Sequence, residues 1–158
     1  MKMNKKGFTL IELLAVIVIL AVIALIASPI ILGIIEDSRE ASRVRSVEAY
    51  ADGIETTVTT YMTLNPDVTS MTICTGEGPA ADTCVIDATD EGRTKPNDSK
   101  AEKVVNYSGN AVICESASYD NSTGVVTVTN CKVGADTKNL YSGNTKDGIK
   151  GTKVTNEG

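Results

Sequence analysis

The residue types that do chemistry are unevenly supplied in this 158-residue chain. It contains no histidine, so neither a Ser-His-Asp nor a Cys-His arrangement can be built from it. No G-x-G-x-x-G fingerprint and no phosphate-cradling G-x-x-x-x-G-K loop occurs. Carboxylates are abundant, but they sit on charge-alternating stretches where nothing raises a pKa toward neutrality. These absences predict a protein that is not an enzyme and takes no cofactor.

Two constellations remain. Cys74, Cys84, Cys114 and Cys131 could ligate a metal or form two disulfides. With no C-x-x-C spacing and no histidine beside them, disulfides in an oxidising compartment are the expected use, and no metal site is expected. The other constellation is Glu12, an acid at the start of a segment with no charge from Leu13 to Ile35. A charged side chain inside an apolar segment costs about 2.5–3.5 kcal/mol at the bilayer centre. Either Glu12 lies at the headgroup boundary, where the cost is small, or it needs a cationic partner. Cleavage after Gly7 would supply one, the α-amino group of Phe8, with an ordinary pKa of about 7.7–8.0. That ammonium is poorly placed for its own Glu12 but available to a neighbouring copy's, where a buried pair would fix register between featureless helices.

The element that positions Glu12 is a helix. The 23 residues Leu13–Ile35 make roughly 34 Å of helix, enough for a bilayer core of roughly 30 Å. Lys2, Lys5 and Lys6 precede it, which places the N-terminus in the cytoplasm. The run is too long for an ordinary signal peptide, and no A-x-A site closes it; Val22-Ile23-Ala24 is the nearest imitation. Pro29 removes a helical hydrogen bond and predicts a bend, with Gly33 a second soft point. Ala15, Ala21, Ala24, Ala27 and Ser28 suit close packing of copies, and equally suit ordinary membrane-helix composition.

The segment Lys5-Lys6-Gly7-Phe8-Thr9-Leu10-Ile11-Glu12-Leu13-Leu14 resembles the class III signal of type IV prepilins and the related pseudopilins of type II secretion and competence systems. The resemblance implies cleavage by a prepilin peptidase between Gly7 and Phe8, N-methylation of Phe8, and neutralisation of a neighbour's Phe8 amine by Glu12 during filament assembly. It further implies a cytoplasmic assembly ATPase and a membrane platform protein as partners. Pro29 stands where these pilins often carry a helix-kinking proline. Where they commonly have a glycine eight residues earlier, this chain has Ala21. The motif covers about the first thirty residues. The fold implied is α+β and type IV pilin-like, a long N-terminal helix on a small antiparallel β-sheet head.

Beyond Ile35 the character changes at once. Acids and arginines from Glu36 to Glu48 interleave with Ala41, Val44, Val47, Ala51, Ile54, Val58 and Tyr61, stepping by three or four. One continuous helix from Phe8 to about Met62, roughly 80 Å long, is expected. Fraying is expected near the β-branched Thr56–Thr60, and a stop at Asn65-Pro66-Asp67. The remainder reads as short strands at Lys103–Tyr107, Ala111–Ala117 and Val125–Val133, with a turn over Tyr119–Gly124. If that hairpin centres between Asn121 and Gly124, Cys114 falls opposite Cys131 and leaves Cys74 for Cys84. This is the preferred of three connectivities.

Asp87–Lys103 is expected to be a solvated loop without EF-hand spacing. Tyr107-Ser108-Gly109-Asn110 and Tyr141-Ser142-Gly143-Asn144 read as tight turns, and the tail from Val133 as one weak edge strand or a flexible end. Asn106-Tyr107-Ser108 and Asn121-Ser122-Thr123 match the glycosylation acceptor pattern by composition.

The expected organisation is a leader over 1–7, a transmembrane or filament-core helix over 8–35, an amphipathic half over 36–64, and a disulfide-bearing head over 65–158. Losing the leader moves the net charge from −5 to −8, since three of fifteen basic residues and no acid lie in it. That acidity predicts no nucleic-acid binding by the monomer. The expected function is a filament subunit, stored in lipid as a single-pass membrane protein and polymerised with copies of itself into an extracellular pilus. The alternatives are a pseudopilin, or a non-polymerising single-pass protein with a binding head.

Overall fold

The computed structural model describes residues 7–69, 71–77, 84–89 and 103–153. Residues 1–6 of the expected leader, residue 70, the middle of the Cys74–Cys84 loop, residues 90–102 of the expected solvated loop and the last five residues lie outside them. The chain divides into two compact units, Met1–Glu40 and Ala41–Gly158. A single helix, α1 (Leu10–Leu64), contributes to both.

In the first unit α1 runs through Pro29 without a break. Ser28 Oγ donates to the Ala24 carbonyl at 2.7 Å, absorbing a hydroxyl that lipid would not solvate. None of residues 7–40 is buried.

In the second unit α1 buries Ser46, Val47, Tyr50, Ala51, Ile54, Val58 and Tyr61. The stripe is the expected one with two differences. Ala41 is exposed, and Tyr50 and Ser46 join the core. Tyr50 stacks edge-on against Tyr107, ring centroids 5.1 Å apart. Ser46 Oγ donates to the Ser42 carbonyl and accepts from the Asn110 amide. The expected fraying at Thr56–Thr60 does not occur. The hydroxyls of Thr57, Thr60 and Thr63 bond back to the carbonyls of Gly53, Thr56 and Thr59 at 2.7–2.8 Å, so they do not compete for other backbone geometry. The helix stops before Pro66, where both the amide and the side-chain nitrogen of Asn65 donate to the Tyr61 carbonyl.

The head's main sheet is antiparallel, with strands β4 (Val112–Ile113), β5 (Ser116–Asp120), β6 (Val125–Val133), β7 (Asn139–Asn144) and β8 (Gly148–Lys153). The order is β4-β6-β7-β8, with β5 also paired to β6. Three two-residue strands form a separate parallel ribbon: β1 (Ile73–Cys74), β2 (Ile86–Asp87) and β3 (Lys103–Val104). Of the expected Lys103–Tyr107 strand only β3 (Lys103–Val104) forms, and β1 and β2 are not announced by the sequence, because two residues are too few to show a period.

The expected Ala111–Ala117 strand is broken into β4 and β5 at Cys114–Glu115. The cause lies across the ladder, where a bulge between Val128 and Cys131 shifts the register of β6 against β7. Asn130 takes the left-handed φ of 51° there. Its amide donates to Ser142 Oγ at 2.9 Å and its side chain to Glu115 at 2.6 Å. The extra residue switches the inward-facing set of β6 from Val126 and Val128 to Cys131 and Val133, all buried.

Asp87 and the tail depart furthest from expectation. Asp87 is buried in β2, not solvated, and its Oδ1 accepts from the amide and hydroxyl of Thr89. Residues 139–153 form a full hairpin. Tyr141-Ser142-Gly143-Asn144 belongs to β7 and the turn comes after it, with Asn144 Oδ1 accepting the amides of Lys146 and Asp147. Tyr141, fully buried, anchors this hairpin in the core. Gly143 lets the two strands close, since a Cβ there would lie 2.2 Å from the Gly148 carbonyl oxygen.

Asp136 fastens the β6–β7 connection to the helix. Its Oδ2 takes Arg43 Nε at 3.0 Å and Asn139 Nδ2 at 3.0 Å, and its Oδ1 takes the Lys138 amide at 2.9 Å. These donors, the Asn139 amide group first, hold its carboxyl below the usual aspartate range. A lowered folded-state pKa stabilises the fold above the ordinary aspartate value near about 3.9, and that stabilisation is lost as pH falls through the folded-state value. Melting of the detergent-solubilised chain should therefore move down as pH falls below about 4, with Asp136→Asn flattening that acid slope. Gly143→Ala should cost roughly 1–3 kcal/mol from overpacking, read as a lower melting temperature at neutral pH.

Candidate functional site

The chemistry-bearing residues of the first unit gather where α1 begins. Gly7, Phe8 and Thr9 precede the first helical residue and are exposed. No atom lies within 4 Å of where a Cβ on Gly7 would sit, and Phe8 is 89% exposed. The Gly7–Phe8 peptide therefore lies in accessible, non-helical chain immediately ahead of the helix.

Thr9 and Glu12 form a reciprocal cap. Glu12 Oε2 accepts from the Thr9 amide at 2.9 Å and from Thr9 Oγ1 at 2.8 Å, while the Glu12 amide donates to Thr9 Oγ1 at 3.3 Å. This capping box satisfies donors that every helix start leaves unpaired, and its carboxylate suits the positive end of the helix dipole. Both bonds fall on one oxygen. Oε1 has no hydrogen-bond partner among the described residues. The arrangement presents a carboxylate with one oxygen held by its own chain and the other open to a partner.

Thr9 is the residue that sequence reading missed. The signal was present, a threonine three before a glutamate, directly ahead of an apolar run.

From Phe8 to Ile35 every large apolar side chain is exposed, from 41% at Ile35 to 89% at Phe8. The helix is long and apolar enough to cross a membrane. Pro29 lies within this stretch and leaves the Leu25 carbonyl without its usual helical donor.

The cysteines belong to the second unit, and none is free. Cys74 is joined to Cys84 and Cys114 to Cys131. The second bridge follows from register: β4 pairs Val112 with Val133 and β5 pairs Ser116 with Thr129, so Cys114 lies across from Cys131, Cα atoms 3.9 Å apart. Gly76 bridges to Cys114, and Lys132 Nζ meets Glu77 at 2.6 Å, so the two crosslinked regions touch. Burial pushes the Tyr50 phenol well above its ordinary pKa, with Tyr107 and Asp87 acting in the same direction. It is a neutral core hydroxyl, not an acid–base group.

Residues 2–28 match the family model of the prokaryotic N-terminal methylation motif, the class III prepilin signal characteristic of type IV pilins and pseudopilins. No curated protein and no solved structure matches the chain.

Replacing Thr9 by valine removes the hydroxyl from the cap and should cost about 1 kcal/mol at the helix start. Amide exchange at Leu10–Leu13 in detergent micelles should speed up about fivefold, and Thr9→Ser should restore the slow rate.

Proposed function

We propose that the chain is a structural subunit of an extracellular type IV pilus filament, not an enzyme, and that it polymerises through its N-terminal helix. One observation carries the reading. The methylation motif opens a helix whose apolar side chains nothing in its own unit covers, and Glu12 is the one carboxylate at the head of that stretch. Apolar surface of this extent is unstable in water and is covered by lipid or by other helices.

In this reading a prepilin peptidase cuts between Gly7 and Phe8, discarding residues 1–7, and Phe8 is N-methylated. The stretch 8–35 waits in the membrane as a single span with its N-terminus in the cytoplasm. A cytoplasmic ATPase and a membrane platform protein drive its transfer into the filament, where lipid is exchanged for neighbouring helices. Glu12 Oε1 receives the Phe8 ammonium of a neighbour and sets axial register. Pro29 supplies a kink to the packed helix. The amphipathic half 36–64 carries the head 65–158, whose disulfides are suited to the cell exterior. The same motif opens pseudopilins, so a short secretion or competence pseudopilus is the alternative within the class.

Protein taken from its native host without reductant should have an intact mass that begins at methylated Phe8 and is lighter by the hydrogens of two disulfides. Glu12→Ala should abolish filaments while leaving the processed chain in the membrane. A main species that retains Met1–Gly7, or normal filaments from Glu12→Ala cells, would overturn the reading in favour of a non-polymerising membrane protein.

A further inference from the structure

Charge on the head is sorted by element. Between Ser46 and Leu64, α1 carries Glu48, Asp52 and Glu55 and no lysine or arginine. Spacings of four and three put the three acids on one side of the helix, away from the buried Val47, Tyr50, Ile54 and Val58. Glu48 and Asp52 are exposed and Glu55 half-exposed, and none makes an ion pair among the described residues. Like charges four apart weaken the helix that carries them, so this strip is a local cost with no return inside its own copy.

Two of the three acids border open hollows that meet at Asp52, one of about 610 Å³ walled by Asn106 and Tyr107, the other of about 150 Å³ bordered by Glu48, Thr145 and Gly148. Among the described residues no basic side chain lines either.

The complementary charge lies on the last hairpin and its approach. From Gly134 to Lys153 the chain carries Lys138, Lys146, Lys150 and Lys153 against Asp136 and Asp147. Asp136 is engaged by Arg43, and Asp147 accepts from Asn144. Lys138, Lys146 and Lys150 are exposed and make no ion pair among the described residues. The β7–β8 turn borders the smaller hollow, yet its lysine does not reach the acids of the same copy.

A filament that grows without closing needs two different patches on each copy, each fitting the other's counterpart. We infer that the acidic strip Glu48–Asp52–Glu55 of one copy receives Lys138, Lys146 and Lys150 of a neighbouring copy, as the head-to-head contact of the assembly. The occupant is a second copy of this chain because the acidic strip has no basic partner in its own copy among the described residues, and the exposed lysines of the hairpin region carry the opposite charge without an acidic one. Opposed patches of this kind steer encounter and penalise wrong register more than they add raw affinity. The inference rests on the filament reading above.

Three full-length chains test it: Glu48→Lys/Asp52→Lys/Glu55→Lys, Lys138→Glu/Lys146→Glu/Lys150→Glu, and the chain carrying all six reversals. Sheared filament is quantified, and the melting temperature of the detergent-solubilised chain is followed beside it. Each triple reversal should cut filament yield about tenfold or more, since like charges then oppose across the contact, and the sixfold reversal should recover it.

Should a triple reversal lower the melting temperature, Asp52→Asn and Lys150→Gln serve instead. Each should reduce yield, and the double variant should be no worse than the poorer single. Triple reversals that assemble as well as the wild type overturn the contact. So does a sixfold chain that melts normally but makes no filament, or a double variant whose losses simply multiply. Those failures leave the filament reading intact where Glu12→Ala still abolishes filaments; a wild-type chain that makes none overturns both.

Discussion

The organising constraint is the uncovered apolar surface at the start of α1. Nineteen large apolar side chains between Phe8 and Ile35 stand exposed. Burying each is worth roughly 1.5–3 kcal/mol, so tens of kcal/mol depend on what surrounds this helix. Water is excluded as its resting environment. Lipid and packed helices are not distinguished by the hydrophobic effect, because an acyl chain is as apolar as a leucine. The choice between them falls to the few polar groups present, and Glu12 is the charged one.

The head solves a different problem. With one phenylalanine and no tryptophan in the whole chain, its core is built from valines, isoleucines and three buried tyrosines, Tyr50, Tyr61 and Tyr141. A small core of this kind is marginal alone. Two disulfides closing separations of 10 and 17 residues each add about 3 kcal/mol by restricting the unfolded chain. The Cys74–Cys84 bridge also ties β1 to the approach of β2 in the parallel ribbon, whose two-residue strands pairing alone would not keep. The bulge at Asn130 belongs to the same solution, because it turns Cys131 inward to the position from which it can reach Cys114.

Legibility followed physical range. The apolar run, the amphipathic stripe and the helix stop are local and periodic, and each could be read from residues a few places apart. The register that sets Cys114 against Cys131 was also readable, because a turn at Asn121–Gly124 fixes it. The hairpin at 139–153 was hidden. Its outward face is Ser, Thr and Lys, its Asp147-Gly148 pair closes a three-residue loop rather than a two-residue one, and only Tyr141 and Ile149 tie it to the core. Asp87 was hidden for the opposite reason: its partner Thr89 is two residues away, but its burial comes from strands far along the chain. The break in alternation at Thr129-Asn130 was visible as two consecutive polar residues between Val128 and Cys131, and marks the bulge.

Glu12 shows how one side chain can serve two environments. Taken alone, an ionised carboxylate at the edge of an apolar span is expensive. Thr9 supplies two hydrogen bonds to the same oxygen. In the filament reading this cap offsets part of the insertion cost before any partner arrives. Because both bonds fall on Oε2, the offset leaves Oε1 unsatisfied. In the filament reading that remaining deficit is what separates an assembled helix from a waiting one, since an ammonium at Oε1 adds stabilisation that lipid cannot provide. A carboxylate capped on both oxygens would be comfortable in the membrane and would have little to gain by leaving it. One with no cap would be costly to store. The half-satisfied state lies between them, and it follows from a threonine placed three residues before the glutamate.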